Sequence, residues 1–160
     1  LNDIALGANH LLNQAFAKRI LVVDLDVHQG NGTAVIFQND PRVFTFSMHG
    51  EKNYPFKKET SDLDIGLPDG IKDEAYLSLL ETHFFKLIEQ HQPDFIFFQS
   101  GVDILETDKL GKLGVSIDGC KQRDEMIIRT CFEKGIPMQI SMGGGYSKEI
   151  KHIVEARQHV

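Results

Sequence analysis

Four short apolar runs, Ile20 to Val23, Val43 to Phe46, Phe95 to Phe98 and Met138 to Ile140, each lead into polar or glycine-rich residues. That is the pattern of parallel strands buried on both faces. Between them the spacing of apolar positions lengthens to that of helices. Asn2 to Phe16 carries Ile4, Leu11, Leu12 and Ala15, and Asp73 to Gln90 sets Tyr76, Leu79, Leu80, Phe84, Leu87 and Ile88 on one stripe. Asp118 to Phe132 and Ser147 to Val154 are further helix candidates, while Pro55, Pro68, Pro93 and Pro137 fall between periodic segments, where helix breakers belong. No repeat, low-complexity tract or linker interrupts the series. The alternation predicts a doubly wound α/β domain, in which ligands bind at the carboxyl ends of the strands.

Composition narrows the function classes. With 160 residues, 41% hydrophobic and 25% charged, the chain can bury one domain's core. Its 17 basic and 23 acidic residues, net charge −6, lack the footprint of a protein that grips phosphate backbones or anionic membranes, so no direct nucleic-acid partner is expected. No apolar run approaches the ~20 residues of a membrane span. Leu1-Asn2-Asp3 is neither an initiator methionine nor a signal sequence, and the native N-terminus is expected upstream. Two cysteines, Cys120 and Cys131, without CxxC spacing, indicate neither a disulfide framework nor a thiolate metal site. A reducing, cytoplasmic setting is the expectation.

The unusual residues sit where strands end. Ile20-Leu21-Val22-Val23 runs into Asp24-Leu25-Asp26-Val27-His28-Gln29-Gly30-Asn31-Gly32-Thr33. In an extended chain alternate side chains share a face, so Asp24, Asp26 and His28 point the same way. Three ionisable groups together must be solvated, paired or metal-bound, and an imidazole with oxygen ligands suits a borderline cation such as zinc. A polar strand end with a helix cap explains any one of them, but three together poorly. The Phe95 run delivers Ser100-Gly101-Val102-Asp103, and the last run delivers Ser141-Met142-Gly143-Gly144-Gly145-Tyr146. Asp103 is a candidate third ligand, although an Asp after a strand is alone more often a cap. The glycines let backbone approach a ligand, leaving the Tyr146 phenol as a donor at the edge; alone they also suit a phosphate turn, without matching its fingerprints.

Taken in order and spacing, Asp24 to Thr33, Ser47-Met48-His49, Gln99 to Asp103 and Gly143 to Tyr146 resemble the second half of the histone deacetylase superfamily. The likeness runs from Leu1 to about Ile153, with Gly30-Asn31-Gly32-Thr33 closer to bacterial, class II and class IV members. The resemblance implies a three-layer, mostly parallel sheet flanked by helices, an arginase/deacetylase-like α/β fold incomplete at its N-terminus, with residues 1–160 the C-terminal part of a single domain. It implies a zinc-dependent amidohydrolase acting on acetyl-lysine peptides or acetylated small amines. By position, Asp26, His28 and Asp103 match the zinc ligands and Tyr146 the residue that bonds the substrate carbonyl. Asp24, Ser47 and Met48 correspond to a monovalent-cation site, with potassium the expected ion; His49 reads as a packed histidine near it. Tyr54 falls near the aromatic wall of the acyl channel, or else is a core tyrosine. Gly144 borders the same channel, and Leu110 matches an apolar rim position favouring peptide substrates. Asp108 matches a rim acid, for which a solvated loop acid is the plainer reading.

The sequence also departs from that family. The family places a His-His pair shortly before the stretch resembling Leu1-Asn2-Asp3, and none of the seven histidines here are adjacent. Such a pair supplies acid-base catalysis worth ~10²- to 10⁴-fold, so the fragment alone is expected to be nearly inactive. The absent half would also supply strands, leaving an apolar sheet edge for it, or for another copy, to cover. Two other readings stand beside this one. A non-catalytic binding or assembly module on the same scaffold fits a chain without its base. A dimanganese ureohydrolase shares the fold but wants Asp-x-His-x-Asp and paired aspartates, where this chain has Asp-x-Asp-x-His and Asp103-Ile104-Leu105.

Overall fold

The computed structural model describes residues 2–158. Its elements run α1 (Asp3–Asn13), β1 (Ile20–Asp24), α2 (Asn31–Phe37), β2 (Val43–Gly50), β3 (Leu63–Leu67), α3 (Asp73–His91), β4 (Phe95–Ser100), α4 (Ile117–Lys134), β5 (Met138–Met142) and α5 (Ile150–Arg157). The five strands form one sheet in the order β3-β2-β1-β4-β5, with every pairing parallel.

Strand alternation explains the three layers. Ile20 and Val22 of β1 pack with Ile4, Ala8 and Leu12 of α1 and Phe37 of α2 on one face. Leu21 and Val23 turn to the other, against Tyr76, Leu80 and Phe84 of α3, Ile127 of α4 and Ala156 of α5. A central strand must therefore be apolar at every position, which is why its run was readable. Two helices carry side-chain caps: Asn2 accepts the Ala5 N–H and Ser116 accepts the Gly119 N–H. The first helix stops at Asn13, short of the expected Phe16, and Ala15 follows with φ 56°. Cys120 and Cys131 are both free, buried, and both within α4.

One strand was not expected. β3, Leu63-Asp64-Ile65-Gly66-Leu67, lies at the sheet's edge and is mostly half-exposed, so its polar and glycine positions hide it from a search for continuous apolar runs. Strand order reverses at β1: the chain steps outward through β2 and β3, then returns to β4 on the other side. Ligand crevices open at such a reversal, beyond the carboxyl ends of the two strands that flank it. Here those strands are β1 and β4, and each exit carries acidic residues.

Candidate metal centre

Asp26 and His28 follow β1, and Asp103 follows β4, its neighbour across the reversal. One ligand atom from each lies within 4.8 Å of the others. His28 Nδ1 stands 3.0 Å from Asp26 Oδ1 and 3.3 Å from Asp103 Oδ2. The remaining oxygens are held by backbone: Asp103 Oδ1 accepts the Val27 N–H at 3.0 Å, and Asp26 Oδ2 accepts the Gly144 N–H at 2.9 Å. Asp103 is fully buried, and among the described residues its Oδ2 makes no hydrogen bond, the His28 ring nitrogen lying near it at 3.3 Å. A buried carboxylate oxygen without a partner is costly unless something else completes it.

Electrostatics point the same way. Asp24 is buried beneath this group, its Oδ1 accepting the Asp26 N–H at 3.1 Å, and burial together with the Asp26 charge raises its carboxyl well above the ordinary range. Burial also raises Asp103, against the opposing effects of the nearby His28 ring and of the hydrogen bond from Val27. For Asp26 burial is outweighed by bonds from the His28 ring, the His28 N–H and the Gly144 N–H, which hold it low. The His28 ring, set against the Asp103 and Asp26 carboxylates, is pushed up to about 10. Three carboxylates therefore face one imidazole. A divalent cation would satisfy the excess charge and the orphan oxygen together, so the donor set fits zinc.

Close backbone approach builds the rest. A Cβ on Gly143 would fall 2.6 Å from Asp26 Oδ2, and one on Gly144 would overlap the Asp103 carboxylate. Gly143 and Gly144 are thus a steric requirement of the carboxylate pair, while Gly145, at φ 153°, leaves no room for a Cβ beside Val102; Tyr146 follows directly. Tyr146 is half-exposed. Beside the triad an open cavity of about 510 Å³ is lined by Asn2, Asp24, Asp26, His28, Gly30 and Gln99, among others.

The other expected positions fall at the rim or beneath it. Asp24 pairs in register with Ser47 and Gln99. The Ser47 hydroxyl lies 2.9 Å from His49 Nδ1, with Asp64 at 3.9 Å. Burial lowers the His49 ring below its ordinary value, and its side chain is packed inside. The Met48 side chain belongs to the core. Tyr54 is 64% exposed, edge-on to Phe56, so it is no core tyrosine. Leu110 is exposed too, and its carbonyl accepts from Asn53 Nδ2 at 2.9 Å, which ties its loop to that of Tyr54.

Asp108 corrects an expectation. Rather than a solvated loop acid, it accepts the N–H groups of Leu110, Gly111 and Tyr146. Three further residues were not foreseen. Gln29 pairs with the Glu59 backbone at 2.8 and 2.9 Å, docking the loop after β2. Arg123, fully buried, donates to the carbonyls of Leu25 and Gly101. Arg157 donates to those of Ser100, Gly143 and Gly144. Among the described residues no helix is long and apolar enough to cross a membrane.

An uncharacterized protein of Picosynechococcus sp. is 48% identical over 154 residues, covering 96% of this chain and 51% of that protein. Histone deacetylase 2 of Arabidopsis thaliana is 32% identical, covering 95% and 40%; histone deacetylase RPD3 of Saccharomyces cerevisiae is 36% identical, covering 92% and 35%. The chain thus spans from about a third to half the length of these relatives. A solved HDAC homolog complexed with SAHA superposes with TM-score 0.78 at 28% identity, over 98% of this chain and 43% of that one. The HDA15 HD domain gives TM-score 0.78 at 26% identity, over 96% and 47%. The Histone deacetylase domain family matches residues 1–159, and the chain belongs to that family.

Proposed function

We propose that this chain is the ligand-bearing C-terminal part of a zinc-dependent deacetylase, which hydrolyses the amide of acetyl-lysine peptides or related acetylated amines. The observation that carries the reading is the convergence of Asp26, His28 and Asp103, with a buried Asp103 oxygen that makes no hydrogen bond among the described residues. Asp26, His28 and Asp103 would hold the ion. Bound there, zinc supplies Lewis acidity, drawing electron density from the amide carbonyl and acidifying a nearby water. Tyr146 donates its phenolic hydrogen to the carbonyl oxygen and to the negative charge that grows on it, a contribution of ~2.7 to 4 kcal/mol for donors of this kind. Tyr54, Leu110 and Gly144 border the channel that admits the acyl-lysine stem, and Asp24, Ser47 and Met48 hold a potassium ion beneath.

The general base comes from residues preceding Leu1. The cavity beside the triad is lined by Asn2 and Asp3, so a preceding segment leads directly to it, and His28 is the one histidine among its lining residues. The same upstream part covers the open edge of β5, whose strand is half-exposed and ends on an exposed Met142. A second copy takes its place when the chain is produced alone. Two free buried thiols suit a cytoplasmic setting.

Metal analysis of the purified chain tests the reading. It should contain about one zinc per chain, lost in Asp26→Ala and in His28→Ala; a chain that takes up no zinc, or whose content is unaltered by both substitutions, rejects it. Turnover of an acetyl-lysine peptide should require the upstream residues and fall with Tyr146→Phe.

A further inference from the structure

Arg123 and Arg157, outside the ligand set, both donate to backbone carbonyls around it, while the other Arg123 donors go to Asp124 and to the Ser100 hydroxyl. Arg157 Nη2 donates to Gly143 O at 2.5 Å, and the N–H of that same peptide unit, on Gly144, donates to Asp26 Oδ2 at 2.9 Å. Arg123 Nη1 donates to Leu25 O at 3.3 Å, and the N–H of that peptide, on Asp26, donates to Asp24 Oδ1 at 3.1 Å. Arg123 Nη1 also reaches Gly101 O at 2.5 Å, and the matching Val102 N–H donates to Gly144 O at 3.2 Å. In the first two cases a guanidinium sits at one end of a peptide dipole and a carboxylate oxygen at the other; in the third the far end is the Gly144 carbonyl. A cation on the carbonyl polarises the peptide and strengthens its N–H as a donor.

We propose that Arg157 is a positioning residue, which fixes the Asp26 carboxylate for metal binding through the peptide joining Gly143 and Gly144. With Oδ2 pinned by the Gly144 N–H, Asp26 presents Oδ1 toward His28 and Asp103 in a single rotamer. The glycine segment carries no side chains to pack, so apart from the Gly143 N–H to Ser100 O and Val102 N–H to Gly144 O bonds it depends on the guanidinium for its restraint. Arg157 is better suited to test than Arg123: it lies part-buried on the terminal helix, whereas Arg123 is fully enclosed and ion-paired with Asp124 at 2.7 Å. The inference rests on the metal reading above, and outer partners of metal ligands typically set affinity by about 10- to 100-fold.

The test uses residues 1–160, titrated with zinc against a chromophoric chelator and with cobalt(II) followed by its visible d–d bands. Arg157→Gln should weaken zinc binding by about tenfold and alter the cobalt spectrum; Arg157→Lys, which keeps a cation, should restore most of both. Arg129→Gln, an exposed arginine paired with Glu125, should change neither. Zinc affinity and cobalt bands unchanged in folded Arg157→Gln overturn the inference alone. No metal uptake by the unsubstituted chain overturns the metal reading and this inference with it. Should Arg157→Gln not fold, amide exchange of Gly144 in Arg157→Met, which keeps the apolar stem and loses the cation, decides: faster exchange than in the unsubstituted chain supports the brace, and equal exchange overturns it.

Discussion

Asp108 accepts the Tyr146 N–H on Oδ2 at 2.6 Å, and on Oδ1 the N–H groups of Leu110 and Gly111, each at 2.8 Å. One carboxylate thereby locks the segment bearing the phenol to the rim loop. Asp108→Ala removes the acceptor from all three amides, and their hydrogen exchange should accelerate together. Asp108→Asn is more selective. Its amide oxygen can keep Leu110 and Gly111 while its NH₂ opposes the Tyr146 N–H, so only Tyr146 should be released. Exchange measured by NMR distinguishes these patterns, and unaltered protection at Tyr146 in both variants would refute the lock.

Asp24 is a buried carboxyl raised by desolvation and by Asp26. A folded-state carboxyl above its unfolded value binds its proton more tightly than the unfolded chain does. Its contribution therefore favours folding at low pH and is lost as pH rises from about 4 through the folded value. Asp24→Asn removes that loss and keeps the acceptor for the Asp26 N–H, so the metal-free variant should resist urea better at pH 7 than the unsubstituted chain. The unsubstituted chain should in turn gain stability from potassium chloride relative to tetramethylammonium chloride of equal ionic strength. That gain should vanish in Asp24→Asn if potassium sits at this carboxylate; a gain of equal size in both proteins would remove it from the site.

How much of this was legible follows from where each interaction is encoded. Central strands announce themselves because both faces are buried, as at Ile20 to Val23. Asp26 and His28 were readable because they stand two apart at a strand exit, a local relation. Arg123 was not. In the run Lys121-Gln122-Arg123-Asp124-Glu125 it resembles a solvated helix face, yet it is fully buried and its Leu25 carbonyl lies 98 residues earlier. Asp108 was misjudged for the same reason, since one of its partners is a backbone N–H 38 residues later. Side-chain chemistry can be recognised in a sequence, but which backbone groups it will hold depends on the packing of distant elements.

The His28 ring gives a pH prediction. In the metal-free chain the adjacent Asp103 and Asp26 carboxylates raise it to about 10. The sign is that of a raised cation: the pairing stabilises the metal-free fold fully below about pH 6.5 and is lost as pH climbs through about 10. Zinc must displace that proton to use Nδ1, so binding should release about one proton near neutral pH and tighten as pH rises. Calorimetric titration of zinc in buffers of different ionisation enthalpy counts the protons. A release near zero at pH 7.5 would take His28 out of the ligand set.

The β5 edge makes a prediction about the isolated chain. A parallel edge strand leaves a row of backbone groups open to pairing, and natural sheets guard such edges with charge or proline. β5 reads Met138-Gln139-Ile140-Ser141-Met142, without either, and ends beside α5 with Met142 and Ile150 each 76% exposed. The other edge, β3, carries Asp64. Residues 1–160 alone should therefore self-associate in sedimentation velocity, increasingly with concentration, and Met142→Lys should return them toward monomer without changing zinc content. Extending the chain upstream should have the same effect by covering the edge from within. If the isolated chain is monomeric at high concentration, β5 needs no cover, and the proposal that an upstream part of the polypeptide packs there loses its physical motive.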